Sequence, residues 1–129
     1  MTVNQLKTDI GTTTISAKCN GPKGYTVKLT TTALTNGTVS TYTIPYYTST
    51  APVAGTAVWA VAKGASTSTT WIANNGTVME TSAADTSASY TTQDVSYKAS
   101  TTATQAMGTY TGTATYTLLR RHKLTSYCL

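Results

Sequence analysis

Between residues 108 and 118 threonine takes every second place, and Tyr110, Gly112, Ala114, Tyr116 and Leu118 fill the places between. Successive side chains of a strand point to opposite faces, so this stretch predicts one half-buried β-strand with a threonine face in water. A helix would scatter Tyr110, Ala114 and Tyr116 around its circumference and lose propensity at every threonine and glycine. The same period recurs upstream. Thr13, Ile15, Ala17 and Cys19 form a first inward row; Tyr25, Val27 and Leu29 form a second, with Thr26, Lys28 and Thr30 facing water. A strand over 39–46 places Tyr42, Ile44 and Tyr46 on one side, with Pro45 marking an edge or a bend. The continuous apolar run 57–62, which contains Trp59, predicts a central strand buried on both faces. Trp71-Ile72 lies in another strand, and Val95, Tyr97 and Ala99 mark the penultimate one.

Turn chemistry separates these runs. Asn20-Gly21-Pro22-Lys23-Gly24 divides the first two strands, and Asn74-Asn75-Gly76 returns the chain through Thr77, Val78 and Met79. Asn36-Gly37 and Asn75-Gly76 are the favoured pair of a two-residue hairpin turn, each followed by a threonine that opens the next strand. The same triplets, Asn36-Gly37-Thr38 and Asn75-Gly76-Thr77, match the N-glycosylation acceptor pattern. Short strands punctuated in this way, with no helix between them and no internal repeat, predict an all-β, antiparallel sandwich or barrel, with the sandwich the preferred reading. The chain length fits one domain, divided into an N-terminal segment 1–11, the β-sandwich 12–118 and a basic C-terminal tail 119–129. Polar loops at 48–55 and 82–89 are the places for ligand contacts.

Composition sharpens this picture. Threonine makes up about a quarter of the residues, which suits the outer faces of many strands. A disordered or O-glycosylated stalk is set aside because tyrosine, valine and tryptophan recur at strand spacing and proline is scarce. Nine tyrosines and no phenylalanine mean that each buried ring brings a hydroxyl needing water, a sheet edge or a partner.

The net charge of +5 is concentrated at Arg120, Arg121 and Lys123. No strand interleaves basic and exposed aromatic residues, so no nucleic-acid partner is expected. No segment is apolar for long enough to insert in a membrane as a helix, and 1–10 contains no signal core. The lone histidine, His122, sits in the tail without an acid near it in sequence. The acids are Asp9, Glu80, Asp85 and Asp94, in places usual for solvated charge, so a glycosidase pair would have to come from the last three. No hydroxyl has a base beside it, and one histidine with two distant cysteines makes no metal set. The expectation is therefore no enzyme: no catalytic residues, no metal and no cofactor. Trp59 and Trp71 would stack on a sugar if exposed, but their strand positions read as core. Cys19 and Cys128 permit a single disulfide or two free thiols equally well. Low charge, abundant hydroxyls and frequent Asn-Gly favour an exported protein.

Four segments carry a resemblance. Thr14-Ile15-Ser16-Ala17-Lys18-Cys19-Asn20, then Gly24-Tyr25-Thr26-Val27-Lys28-Leu29, then Ile44-Pro45-Tyr46, and finally the strand at 108–118 resemble in order and spacing the bacterial pilin subunits of chaperone-usher fimbriae and the related spore-coat-U-like proteins. The resemblance implies an immunoglobulin-like sandwich lacking its final strand, with a groove filled by an extended segment of a neighbouring subunit. In that family the last strand borders the groove, so Tyr110, Gly112, Ala114, Tyr116 and Leu118 would form its wall. The implied partners are neighbouring fimbrial subunits, a periplasmic assembly chaperone and, for an adhesive subunit, a host glycan or surface receptor. The implied location is a surface fimbria reached through the periplasm.

The chain also departs from that family. Residues 1–11 supply neither a donor extension nor a strand with the first cysteine, and Cys19 stands where the second family cysteine would be. The tail 119–129 runs past the family's usual end. It is an appended end, or it folds back as the missing strand with Cys128 reaching Cys19. The alternative function is a self-contained carbohydrate-binding sandwich using Trp59 or Trp71; capsid decoration is a third class.

Overall fold

The computed structural model describes residues 2–3, 11–18, 24–81 and 90–120, and every regular element among them is a β-strand. In chain order these are β1 (Thr2–Val3), β2 (Gly11–Ala17), β3 (Tyr25–Thr31), β4 (Leu34–Asn36), β5 (Thr43–Ile44), β6 (Val58–Lys63), β7 (Trp71–Ile72), β8 (Thr77–Thr81), β9 (Thr91–Ser100), β10 (Gly108–Thr111) and β11 (Ala114–Arg120). Cys19, Cys128, His122, Asp9, Asp85, Arg121 and Lys123 lie outside the described residues, as does the 82–89 loop.

All strand pairs are antiparallel. One sheet has the order β11-β3-β8 and continues, beyond a bend, as β1-β10-β4-β5; the other has the order β2-β9-β6-β7. Their inner faces share one apolar cluster that includes Tyr25, Val27 and Leu29 from the first sheet and Trp59, Val61, Val95 and Ala99 from the second. This is the predicted β-sandwich.

Taking β3–β4 and β10–β11 as two bent strands, β3 pairs with β8 and β6 with β9, as the second does with the fifth and the third with the sixth in an immunoglobulin constant domain. The first and last strands trade places relative to that order. Here β2 lies on β9 and β11 lies on β3.

The tyrosine-rich core resolves its hydroxyls one by one. Tyr25 Oη donates to the Ala17 carbonyl across the two sheets, and Tyr110 Oη donates to the Ala106 carbonyl (2.6 Å) while accepting from Gln105 Nε2. Tyr46 Oη donates to the Ile72 carbonyl and accepts from the Val61 amide. No buried side-chain polar atom among the described residues lacks a partner, so the hydroxyls avoid the desolvation penalty that an unpaired phenol would incur.

The run 57–62 becomes β6, in which Val58 through Ala62 are all buried. Trp59 and Val61 face the core, while Val58, Ala60 and Ala62 face the other way, opposite Ser100, Lys98 and Ser96 of β9. Two loops close that outer face. Ser96 Oγ donates to the Gly64 carbonyl (2.7 Å), Lys98 Nζ to the Ser68 carbonyl (2.7 Å), and Ser100 Oγ to the Thr56 carbonyl (2.6 Å) while accepting from the Val53 amide. A row of serine and lysine thus ties loops over small alanines.

Several expectations are corrected. The stretch 108–118 is two strands, not one: β10 and β11 part at Gly112-Thr113, although the alternation persists, with Tyr110 buried and every flanking threonine exposed. Register explains the break. Thr32 bonds Thr113 and Thr35 pairs with Thr111, so Ala33 and Leu34 together stand opposite Gly112, a bulge that bends both strands. The strand expected over 39–46 shrinks to β5, with Tyr42 exposed. Pro45 marks the bend: past it the chain leaves β4 and runs parallel to β6, joined through Tyr46 and Trp59.

Neither Asn-Gly pair makes a two-residue hairpin. Asn36 is buried and its Oδ1 accepts from the amides of Thr38 and Val39, organising a longer loop before β5. Its Nδ2 donates to the Met107 carbonyl, which ties up the nitrogen that a glycan would need. At the second pair Asn75, with φ of 65°, is the left-handed residue of a turn closed by the Gly76 amide on the Ala73 carbonyl. That turn joins β7 to β8, strands of different sheets, so it is a crossover.

Candidate functional site

Strand edges are where this fold leaves hydrogen-bonding capacity open. On one side β11 pairs with β3 from Ala114↔Thr31 to Arg120↔Tyr25, and among the described residues no strand occupies its other edge. The bent partner β10 is paired on both sides, to β4 and to β1, through Thr2↔Thr109 and Val3↔Gly108. Because β4 continues β3, β1 sits on the edge that β11 leaves open. Among the described residues the 2–3 segment thus caps only the start of the edge.

Side-chain burial follows the same outline. The inward row Ala114, Tyr116 and Leu118 of β11 packs against the core but is only half-buried, whereas Tyr110 on doubly paired β10 is fully buried. In the second sheet β2 is the outer strand, paired among the described residues to β9 alone. Its inward row runs from buried Ala17 through half-buried Ile15 to exposed Thr13, although Thr13 pairs with fully buried Val95. The Ala17 end is roofed by Tyr25 of β3, and the Gly11–Thr13 end has no roof among the described residues. Among the described residues, β11 and β2 are thus outer strands of the two sheets, and the strip beside their partly exposed inward rows, Ala114, Tyr116 and Leu118 on one and Ile15 and Thr13 on the other, is a candidate slot for an added strand.

At the back of this slot, Tyr97 of β9 and Tyr116 of β11 share a hydroxyl–hydroxyl hydrogen bond of 2.7 Å that joins the two sheets. Burial, and after it the bond to Tyr97, holds the Tyr116 hydroxyl far above the ordinary tyrosine range. Burial likewise pushes Tyr46 up to about 12, against the opposing pull of the Val61 amide. Both phenols stay protonated in the fold beyond pH 10, where the unfolded chain begins to release their protons. The folded state then binds more protons than the unfolded one, so stability falls as pH rises from about 10 towards 12. An ultraviolet titration of tyrosinate should show these two tyrosines ionising only together with unfolding; ordinary, reversible titration of all nine with the fold intact would contradict it.

Of the sequence-predicted wall, Ala114, Tyr116 and Leu118 come together at the open edge, while Tyr110 and Gly112 do not. Tyr110 is sealed in the core beneath Gln105, and Gly112 lies against β4 at the bend. Sequence reasoning missed Tyr97 as part of the slot, having placed it only in a strand row. It also took Thr13 as an inward core position. The proposed pair Cys19 and Cys128 falls outside the described residues.

The other candidate chemistries are laid out as follows. Trp59 is 1% exposed and its Nε1 donates to the Thr32 carbonyl, so it offers no face to a sugar. Trp71 is half-buried on the outer face of the second sheet, with Lys98 Nζ 5.2 Å from its ring centroid and Tyr47 tilted against it at 6.1 Å. Glu80 and Asp94 stand on strands of different sheets, and the Asp94 carboxylate accepts from Thr14 Oγ1 at 2.7 Å. Among the described residues no histidine, cysteine or acid cluster could hold a metal ion, and no pocket is enclosed. A comparison with protein-family models, with curated proteins and with solved structures finds no match to this chain.

Proposed function

We propose that this chain is a structural subunit of a bacterial surface fibre, assembled when the slot beside β11 receives an extended strand from a neighbouring subunit. One observation carries the reading: the inward row of β11 is apolar and alternates correctly, yet it stays half-exposed beside an edge with no neighbour among the described residues. An unpaired edge supplies main-chain hydrogen bonds, and alternate side-chain seats supply selectivity. The sequence resemblance to pilin subunits points the same way, and with it come an assembly chaperone as transient partner and export to the cell surface. The exchanged positions of β2 and β11 would make this a variant of that architecture.

The carbohydrate-binding alternative draws on Trp71, whose ring is already flanked by Lys98 and Tyr47. No observation favours it over strand acceptance.

The test is a synthetic peptide of alternating apolar residues added to the purified chain. At a hundredfold excess over its dissociation constant, binding contributes about 2.7 kcal/mol, which should raise the melting temperature by roughly 10 °C. Size-exclusion chromatography should show the peptide comigrating with the protein. A stable monomer whose melting is indifferent to every such peptide would overturn the proposal.

A further inference from the structure

We infer that the Tyr97–Tyr116 hydroxyl pair sets the sequence of the strand that the slot accepts, selecting serine or threonine at its level with apolar residues two places to either side. The inference rests on the strand-acceptance reading and goes on to name the partner's chemistry.

A count of donors leads to it. Two phenols bring two O–H groups, and the 2.7 Å contact uses one of them. Neither hydroxyl makes another hydrogen bond among the described residues. Both tyrosines are half-buried. A strand laid along β11 closes off what solvent still reaches them, and the remaining donor then needs an acceptor in the incoming segment. A threonine or serine hydroxyl accepts it and can return a proton to a phenol lone pair. Valine, of the same shape as threonine, leaves the donor unpaired.

The surroundings fit a small polar side chain at this level and apolar ones beyond it. Tyr97 is paired with Gly11 on β2, so no side chain projects from the slot floor there. On β11 the flanking positions are apolar, Ala114 and Leu118 on either side of Tyr116, while on β2 the inward row beyond Gly11 runs through Thr13 to Ile15. Strand periodicity places the matching residues of the partner two apart. The occupant is an extended segment, because β1 already pairs along this same edge beside β10 and the described residues enclose no pocket for a compact ligand.

The experiment uses the full chain and a peptide that alternates valine inward with lysine outward, in which a single threonine replaces each valine in turn. Calorimetric titration should find one position at which threonine binds on the order of tenfold tighter than valine. In the Tyr97→Phe/Tyr116→Phe double variant that preference should vanish or reverse, with Tyr116→Phe alone giving a partial loss and a circular-dichroism melt confirming that each variant folds. Binding of all peptides without a preferred threonine position, or an unchanged preference in the double variant, overturns this inference and leaves strand acceptance standing. If no peptide binds, strand acceptance fails and the inference falls with it.

Discussion

Replacing Trp59 with alanine is expected to cost about 3–5 kcal/mol of stability, a large share of the ~5–15 kcal/mol that holds an ordinary domain folded. The indole is 1% exposed and meets Tyr46 edge-to-face, with centroids 4.8 Å apart at 80°. Its Nε1 donates to the Thr32 carbonyl at 2.9 Å, which ties β6 of one sheet to the bend of the other. The Trp59 backbone also takes up the chain after Pro45, through its amide on the Pro45 carbonyl and its carbonyl on the Tyr47 amide. Alanine keeps those main-chain bonds, so the loss is that of the ring: area, aromatic contact and the donor to Thr32. Urea denaturation measures it as a lower midpoint with unchanged slope. Trp59→Phe should cost less, since it restores most of the volume and forfeits the donor. A Trp59→Ala midpoint within error of the parent would refute the account.

Gly112→Ala comes next, with an expected loss on the order of 1–3 kcal/mol, the range for overpacking a tight site. A β-carbon there would stand 2.8 Å from the Ala33 carbonyl oxygen, 2.9 Å from Leu34 Cδ2 and 3.2 Å from Thr32 Oγ1. The first obstacle is backbone, and the second belongs to a fully buried leucine, so neither yields without moving β4. The strain falls on the bulge that sets β11 against β3, so the variant should also lose its melting response to strand peptides. Gly11→Ala is the control, because nothing lies within 4 Å of its β-carbon position. It should change stability by no more than about 0.5 kcal/mol. Equal stability of the Gly112 variant and its parent would mean that the bend is not built as described.

Much of this fold is legible along the chain, because a strand's burial depends on which side chains face the same way. Tyr25, Val27 and Leu29, and Val95 with Ala99, take the inward positions their period assigns, and the run through Trp59 is buried on both faces. The errors fall where a local pattern has two tertiary outcomes. Asn-Gly marks a turn without saying whether the flanking strands pair with each other, and here Asn75-Gly76 connects two sheets. Glycine at 112 keeps the alternation intact while permitting the bulge, so the period alone could not show the break. Val78 and Met79 are both buried because β8 carries one extra residue, Val78, where the register shifts opposite Val27 and Lys28 of β3.

The candidate site was half legible for the same reason. Ala114, Tyr116 and Leu118 could be placed on one face of the last strand from spacing, and the resemblance proposed that face as a groove wall. Tyr97, Thr13 and Ile15 could not be assigned to the slot, since they come from strands far away in sequence.

By itself, then, the sequence determined the all-β class, the inward and outward faces of most strands, and the need to satisfy a core of tyrosine hydroxyls. Those properties depend on spacing of two residues and on side-chain chemistry, both of which are local. Only the tertiary structure decided that β2 lies on β9 and β11 on β3, leaving each without a second neighbour among the described residues and joining Tyr97 to Tyr116 across the two sheets. Strand partners are chosen by contacts among residues distant along the chain, and alternation reads the same whichever neighbour a strand takes.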